Sequence, residues 1–235
     1  LEKLDFVDIK PSLRKYPYVD FKPAREIGNE VLRITNLTKN GFFENVSFTV
    51  NKGDKIAFMC ENANVVTMLF KILMGEDSAD GGTFEWGATV KPCYVPENND
   101  SYFKDCGLSL VDWLAQYSED KDQTFLRSWL GRMLFSGEEA QKKANCLSGG
   151  EKVRCMLARA MLSGANLLIF DEPTNHLDLE SITSLNKGMI NYKSPILFTS
   201  QDHELLQTVA NRIIEINKTK VYDKSTTYNN YLGLD

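Results

Sequence analysis

The chain has only two histidines, and its five cysteines (60, 93, 106, 146 and 155) form no C-x-x-C pair. That argues against a zinc site or a disulfide framework and for a reducing cytoplasm. No run is long or apolar enough for a membrane span. The N-terminus, LEKLDF, has neither a signal-peptide core nor an initiator Met, so a fragment of a longer chain is expected. Positive charge is not in excess either: the formal charge is -5. Nucleic-acid binding by bulk charge is thereby excluded. What remains is an ordinary globular composition over 235 residues, enough to bury a core without staples.

Residues 1–28 lack any helical or strand period. The stretch PSLRKYPYVDFKPAR has three prolines and reads as an extended arm or linker. Lys10, Arg14, Lys15, Lys22 and Arg25 alternate there with Tyr16, Tyr18 and Phe21. Such a mixture can track a phosphate backbone, or it can pack on the domain with its charges in water.

Beyond residue 30 the pattern is α/β. EVLRITNL and FENVSFTV read as strands, and KIAFM as a buried one. VVTMLFKILMG reads as a helix stopped by Gly75. GGTFEW and TVKPCYV read as a strand pair, with prolines confining the second to an edge. Residues 107–143 then turn helical, with Leu110, Trp113, Leu114 and Tyr117 on one face. Alternating helices and strands follow to the C-terminus, which implies a largely parallel sheet with a helical insert.

Three segments carry chemistry. LLIFDEP puts Asp171 and Glu172 at the end of an apolar strand, where ligands of open parallel sheets bind. Asp171 is a hard-oxygen partner for Mg²⁺, and Glu172 a general base for an attacking water. As plain structure, the pair would merely cap a strand-to-helix turn. LSGGE (Leu147, Ser148, Gly149, Gly150, Glu151) opens a helix with a hydroxyl and two glycines, which suits an anion or a simple N-cap. CENANVVT stands between KIAFM and its helix, where a P-loop would read G-x-x-x-x-G-K-[ST].

Together with NHLD at 175–178, these segments resemble the nucleotide-binding domain of an ABC ATPase. LSGGE resembles the signature, LLIFDE the Walker B strand, and NHLD the D-loop with Asp178. The wording DEPTNHLD is similar to that of the ABC-F group, soluble proteins with two ABC domains on one chain. The resemblance implies a P-loop NTPase-like α/β fold over residues 29–235, with an antiparallel β subdomain and a helical subdomain at about 104–146. Residues 1–28 would be the tail of the inter-domain linker.

The resemblance also implies ATP and Mg²⁺ as ligands and a head-to-tail partner, the first ABC domain of the same full-length chain. LSGGE would serve that partner's site. Residues Cys60, Glu61, Asn62, Ala63, Asn64, Val65, Val66, Thr67 and Met68 would form this domain's own P-loop, with Thr67, Asp171 and Glu97 as metal ligands. Yet Cys60, Ala63 and Val65 stand where glycines let backbone approach phosphate, and Val66 replaces the lysine. Lys71 is a remote substitute. The H-loop reads Ser200-Gln201-Asp202, so Gln201 replaces an imidazole, and His203 is expected to face elsewhere. The Q-loop position holds Glu97. Phe42 and Phe43 are the only adenine-stacking candidates, and core packing suits them better.

Three functions are compatible with this. One is the second domain of an ABC-F factor acting in the cytoplasm on the ribosome, its linker reaching rRNA or tRNA. Another is a pseudo-ATPase that only lends its signature. The third, an ATP-binding subunit of a membrane transporter, fits DEPTNHLD and the linker tail least.

Overall fold

The computed structural model describes residues 15–218 and 220–233. Lys10 and Arg14 of the arm lie outside them.

Two sheets form the body. The first is antiparallel, with strand order β2-β1-β4: β1 Glu30–Lys39, β2 Phe43–Asn51 and β4 Gly81–Trp86. The second has the order β5-β6-β7-β3-β8-β9. Its members are β3 Lys55–Met59, β5 Pro92–Val95, β6 Leu167–Phe170, β7 Ile196–Phe198, β8 Arg212–Asn217 and β9 Lys220–Lys224. All its neighbours are parallel except β8 and β9. β6 and β7 are buried at every position, as strands covered on both faces must be.

The expected pairing of GGTFEW with TVKPCYV is not seen. β4 pairs with β1, whereas β5 pairs with β6. The two runs are adjacent in sequence but belong to different sheets. β5 is still an edge strand, and Pro92 at its start removes no ladder donor from a central position.

α1 (Asn64–Leu73) follows β3, and α5 (Gly149–Leu162) precedes β6. Between β5 and α5 lie short helices α2 (Asp100–Phe103), α3 (Leu110–Ala115) and α4 (Gln123–Arg132). Trp113 and Leu114 of α3 are fully buried, and Trp113 stacks on Phe103 with centroids 4.8 Å apart. SGEEAQKKAN and the residue after it form two short 3-10 helices, Gly137–Gln141 and Ala144–Cys146, rather than one α-helix. α6 (Leu179–Asn191), α7 (His203–Val209) and α8 (Tyr228–Leu232) complete the chain.

The described part of the arm lies on this body. Phe21 is buried against Phe170 and Tyr192, at 5.6 and 6.1 Å between ring centroids. The arm passes so close to α6 that a Cβ on Gly188 would sit 2.6 Å from Val19 Cγ1 and 3.0 Å from the Val19 carbonyl oxygen. Tyr16 and Tyr18 stay exposed, and the Arg132 guanidinium lies between the rings of Tyr18 and Trp129.

Candidate functional site

The parallel order places the ends of β3, β5, β6 and β7 side by side. Asp171 follows β6 directly and is buried. Its Oδ2 accepts from Thr67 Oγ1 at 2.7 Å and from Tyr94 OH at 3.2 Å. Its Oδ1 accepts from Thr199 Oγ1 at 2.9 Å. Burial raises its pKa above the usual carboxylate range, against the pull of those hydroxyls and of Lys71. Neither Tyr94 nor Thr199 stood out in the sequence, because each reaches Asp171 from another strand.

Glu172 has φ +46, a left-handed conformation rare for a residue with a side chain. Thr199 Oγ1 holds its N–H at 2.9 Å, and the Gln201 N–H donates to its Oε2 at 3.3 Å. Burial raises its pKa too, and the charges of Asp171 and Glu97 add to the rise. A cavity of about 440 Å³ opens here, lined by Cys60, Glu61, Ala63, Glu172, Gln201 and His203 among others. His203 therefore faces the site, contrary to the sequence expectation. Its Nδ1 lies 3.0 Å from Tyr228 OH, and α8, which brings Tyr228, was not expected. A second cavity of about 430 Å³ is lined by Thr67, Lys71, Glu76, Tyr94 and Glu97. Glu97 Oε1 accepts from Asn175 Nδ2 at 3.2 Å. Among the described residues, no group of three His, Cys, Asp or Glu could by itself hold a metal ion.

The loop before α1 satisfies itself. The Asn64 N–H donates to Asn62 Oδ1 at 3.1 Å, and the Val65 N–H to Asn62 O at 2.9 Å. The N–H groups of Val66 and Thr67 both donate to Ala63 O, at 3.1 and 3.2 Å. None of residues 60–67 has positive φ. The Cys60 sulfur faces the N–H groups of Val66 and Asn62, yet burial wins and its pKa is raised. The Val66 side chain is fully buried, in one core cluster with Leu69 and Phe70. Met68 packs on that cluster, as does Phe42, while Phe43 is wholly buried.

LSGGE is built differently. Ser148 caps α5, and a capping box joins its Oγ and N–H to Glu151. Burial alone would raise the Glu151 carboxyl. The Lys142 ammonium at 2.8 Å and the Ser148 donors outweigh it and hold the group at about 2. Leu147 is buried beneath the turn. No acceptor among the described residues is set against the N–H groups of Gly149 and Gly150. Asp178 caps α6 through the Ser181 N–H at 2.8 Å.

The family sequence pattern described as ABC transporter matches residues 43–175. The chain belongs to the ABC transporter ATP-binding family. It is 60% identical over 237 residues to the uncharacterized ABC transporter ATP-binding protein YkpA of Bacillus subtilis, covering 99% of this chain and 44% of that one. It is 35% identical to the probable ATP-binding protein YbiT of Escherichia coli O157:H7, with the same coverage. The energy-dependent translational throttle protein EttA of Escherichia coli K12 is 29% identical over 82% of this chain and 36% of its own length. The chain thus spans less than half the length of these relatives. The dimeric ATP-binding cassette MJ0796, bound to ADP and Pi, superposes with a TM-score of 0.67 at 16% identity, over 83% of this chain and 98% of that one. This ABC domain accordingly has the α/β P-loop ATPase fold. Among the described residues no helix is long and apolar enough to cross a membrane.

ABC domains bind ATP, with Mg²⁺ as its usual companion. Thr67 near the start of α1 and Asp171 after β6 suit the ion: their hard oxygens lie 2.7 Å apart. The loop does not suit a triphosphate, because its donors are spent internally and a buried Val66 stands where the lysine would be.

Proposed function

We propose that this chain is the second nucleotide-binding domain of a soluble, cytoplasmic ABC-F protein, with residues 1–28 as the tail of the linker and a degenerate Walker A. In this reading Ser148, Gly149, Gly150 and Glu151 complete the ATP site of the first domain. The domain's own site, with Glu172 and Gln201 in the catalytic places and Thr67, Asp171 and Glu97 in the metal places, holds nucleotide weakly or not at all. The whole protein acts on the ribosome, through linker contacts to rRNA or tRNA. EttA, whose name declares a translational role, supports that last step.

The carrying observation is the difference in available donors. Residues 64–67 have internal acceptors for all four N–H groups, whereas Gly149 and Gly150 keep theirs free among the described residues. A phosphate gains little from donors already bonded and much from donors waiting at a helix N-terminus.

Calorimetry with Mg-ATP tests it. The chain is compared with a variant carrying Cys60→Gly, Ala63→Gly, Val65→Gly and Val66→Lys. The repaired protein is expected to bind roughly a hundredfold tighter, the worth of one or two charge-assisted hydrogen bonds. Equal affinities would defeat the reading of an eroded loop.

A further inference from the structure

The turn that follows Glu172 does more than lead into α6. The Asn175 N–H donates to the Glu172 carbonyl at 3.2 Å, and its side chain donates to Glu97. The next residue, His176, has φ +67. It lies against the first turn of α5. A Cβ built on Gly149 would stand 3.0 Å from His176 Cγ and 3.2 Å from its Cβ. One built on Gly150 would stand 2.5 Å from the His176 carbonyl oxygen. Further along, Arg154 of α5 reaches Asp178 at 3.9 Å. The ring and carbonyl of one residue thus fill the space that any side chain at 149 or 150 would need.

We propose that His176 is a positioning residue for the signature helix. Its left-handed backbone aims the carbonyl at Gly150, its imidazole bears on Gly149, and the two contacts fix where the first turn of α5 sits. The glycines of LSGGE then have an internal role besides any approach to phosphate: they receive this wedge. Because Asn175 is bonded to Glu97 and Glu172, the same two-residue unit joins this domain's own site to the helix that carries the signature. Only the identity of the anion at that helix rests on the function proposed above; the wedge itself does not.

A compensation cycle tests this. In the 235-residue chain, Gly149→Ala is expected to lower Tm by about 3–6 °C through overpacking. His176→Gly removes the ring and the Cβ and suits the left-handed backbone, so Gly149→Ala/His176→Gly should recover most of that loss. Additive losses would overturn the proposal, since a Gly149 that matters only for a partner's nucleotide gains nothing from a smaller residue 176. His176→Asn serves as the control for folding, because Asn accepts the left-handed backbone while lacking the ring. In the full-length two-domain protein, Gly149→Ala should cut ATP turnover roughly tenfold or more, and the double variant should restore it. Recovery of Tm without recovery of turnover would overturn the positioning role. A wild-type two-domain protein with no turnover, combined with Tm recovery, would defeat the preceding functional reading and leave the wedge in place.

Discussion

Two helices of this domain begin at turns with similar physics and different outcomes. α1 and α5 both present a helix N-terminus, with its partial positive charge, near the ends of parallel strands. At α1 the turn is closed upon itself: Asn62 and Ala63 take the donors of residues 64–67, and a cysteine sulfur fills the curve. At α5 the Ser148–Glu151 box secures the cap, and two glycines leave their donors open among the described residues. The dipole alone therefore does not make an anion site. Donors must be held in place by something other than themselves, and at α5 that something is a capping box on one side and His176 on the other.

The largest effect expected from this contrast is at Ser148. Ser148→Arg removes the cap, worth about 1 kcal/mol, and places a long cation over the open donors. In the full-length two-domain protein, ATP turnover should fall at least about a hundredfold, by analogy with the loss of a preorganised donor. Tm of the isolated chain should fall by only about 2–4 °C. Unchanged turnover would sink the assignment of LSGGE to a working site.

The next effect concerns the closed turn. Val66→Lys alone restores the residue a P-loop requires, but Val66 is fully buried beside Leu69 and Phe70. Carrying an ammonium into that apolar cluster costs its desolvation, so a loss of about 3 kcal/mol or more is expected, read by chemical denaturation. The cost should shrink once the three glycines accompany it and the loop can reopen. A neutral Val66→Lys that binds Mg-ATP would break the comparison, since it would mean the loop was already shaped for phosphate.

Much of this was legible in the sequence, and the illegible parts share a cause. β6, with its run of four apolar residues before Asp171, announced both the buried strand and the carboxylate pair. The identities at 60–66 raised the expectation of a changed P-loop, which the Mg-ATP comparison tests. The sequence pointed to what Val65 and Val66 lack, namely positive φ and an ammonium. It did not show what replaces them, because the Asn62 and Ala63 acceptors depend on backbone geometry. The hydroxyls of Tyr94 and Thr199 on Asp171, the placing of His203 by Tyr228, and the separation of β4 from β5 all depend on which strands become neighbours. Pairing between distant segments leaves little local trace. His176 was hidden for the same reason: only the folded turn sets it against Gly149.

The finest prediction applies one substitution at the start of α5 and at the strand end after β6. Glu151 has its pKa held at about 2, below the ordinary 4.5. A lowered acid contributes stability above its unfolded pKa and loses it as pH falls through the folded value. Glu151→Gln should thus lower Tm at neutral pH, and the gap should close as pH drops from about 4.5 to about 2. Glu172 is raised, chiefly by burial. There the folded state takes up its proton more readily than the unfolded one, so stability falls as pH rises between the two values. Glu172→Gln keeps an oxygen for the Gln201 N–H and removes the buried charge, so it should raise Tm slightly at neutral pH. That gain should vanish as pH falls below the ordinary 4.5 of a glutamate. Opposite signs for the same change, measured by calorimetric melts across pH, would mean that the strand-end carboxylate costs the fold stability while the signature carboxylate supplies it. Equal signs would mean that Glu172 has a stabilising partner in solution, and that the site beside the closed loop is better balanced than its geometry implies.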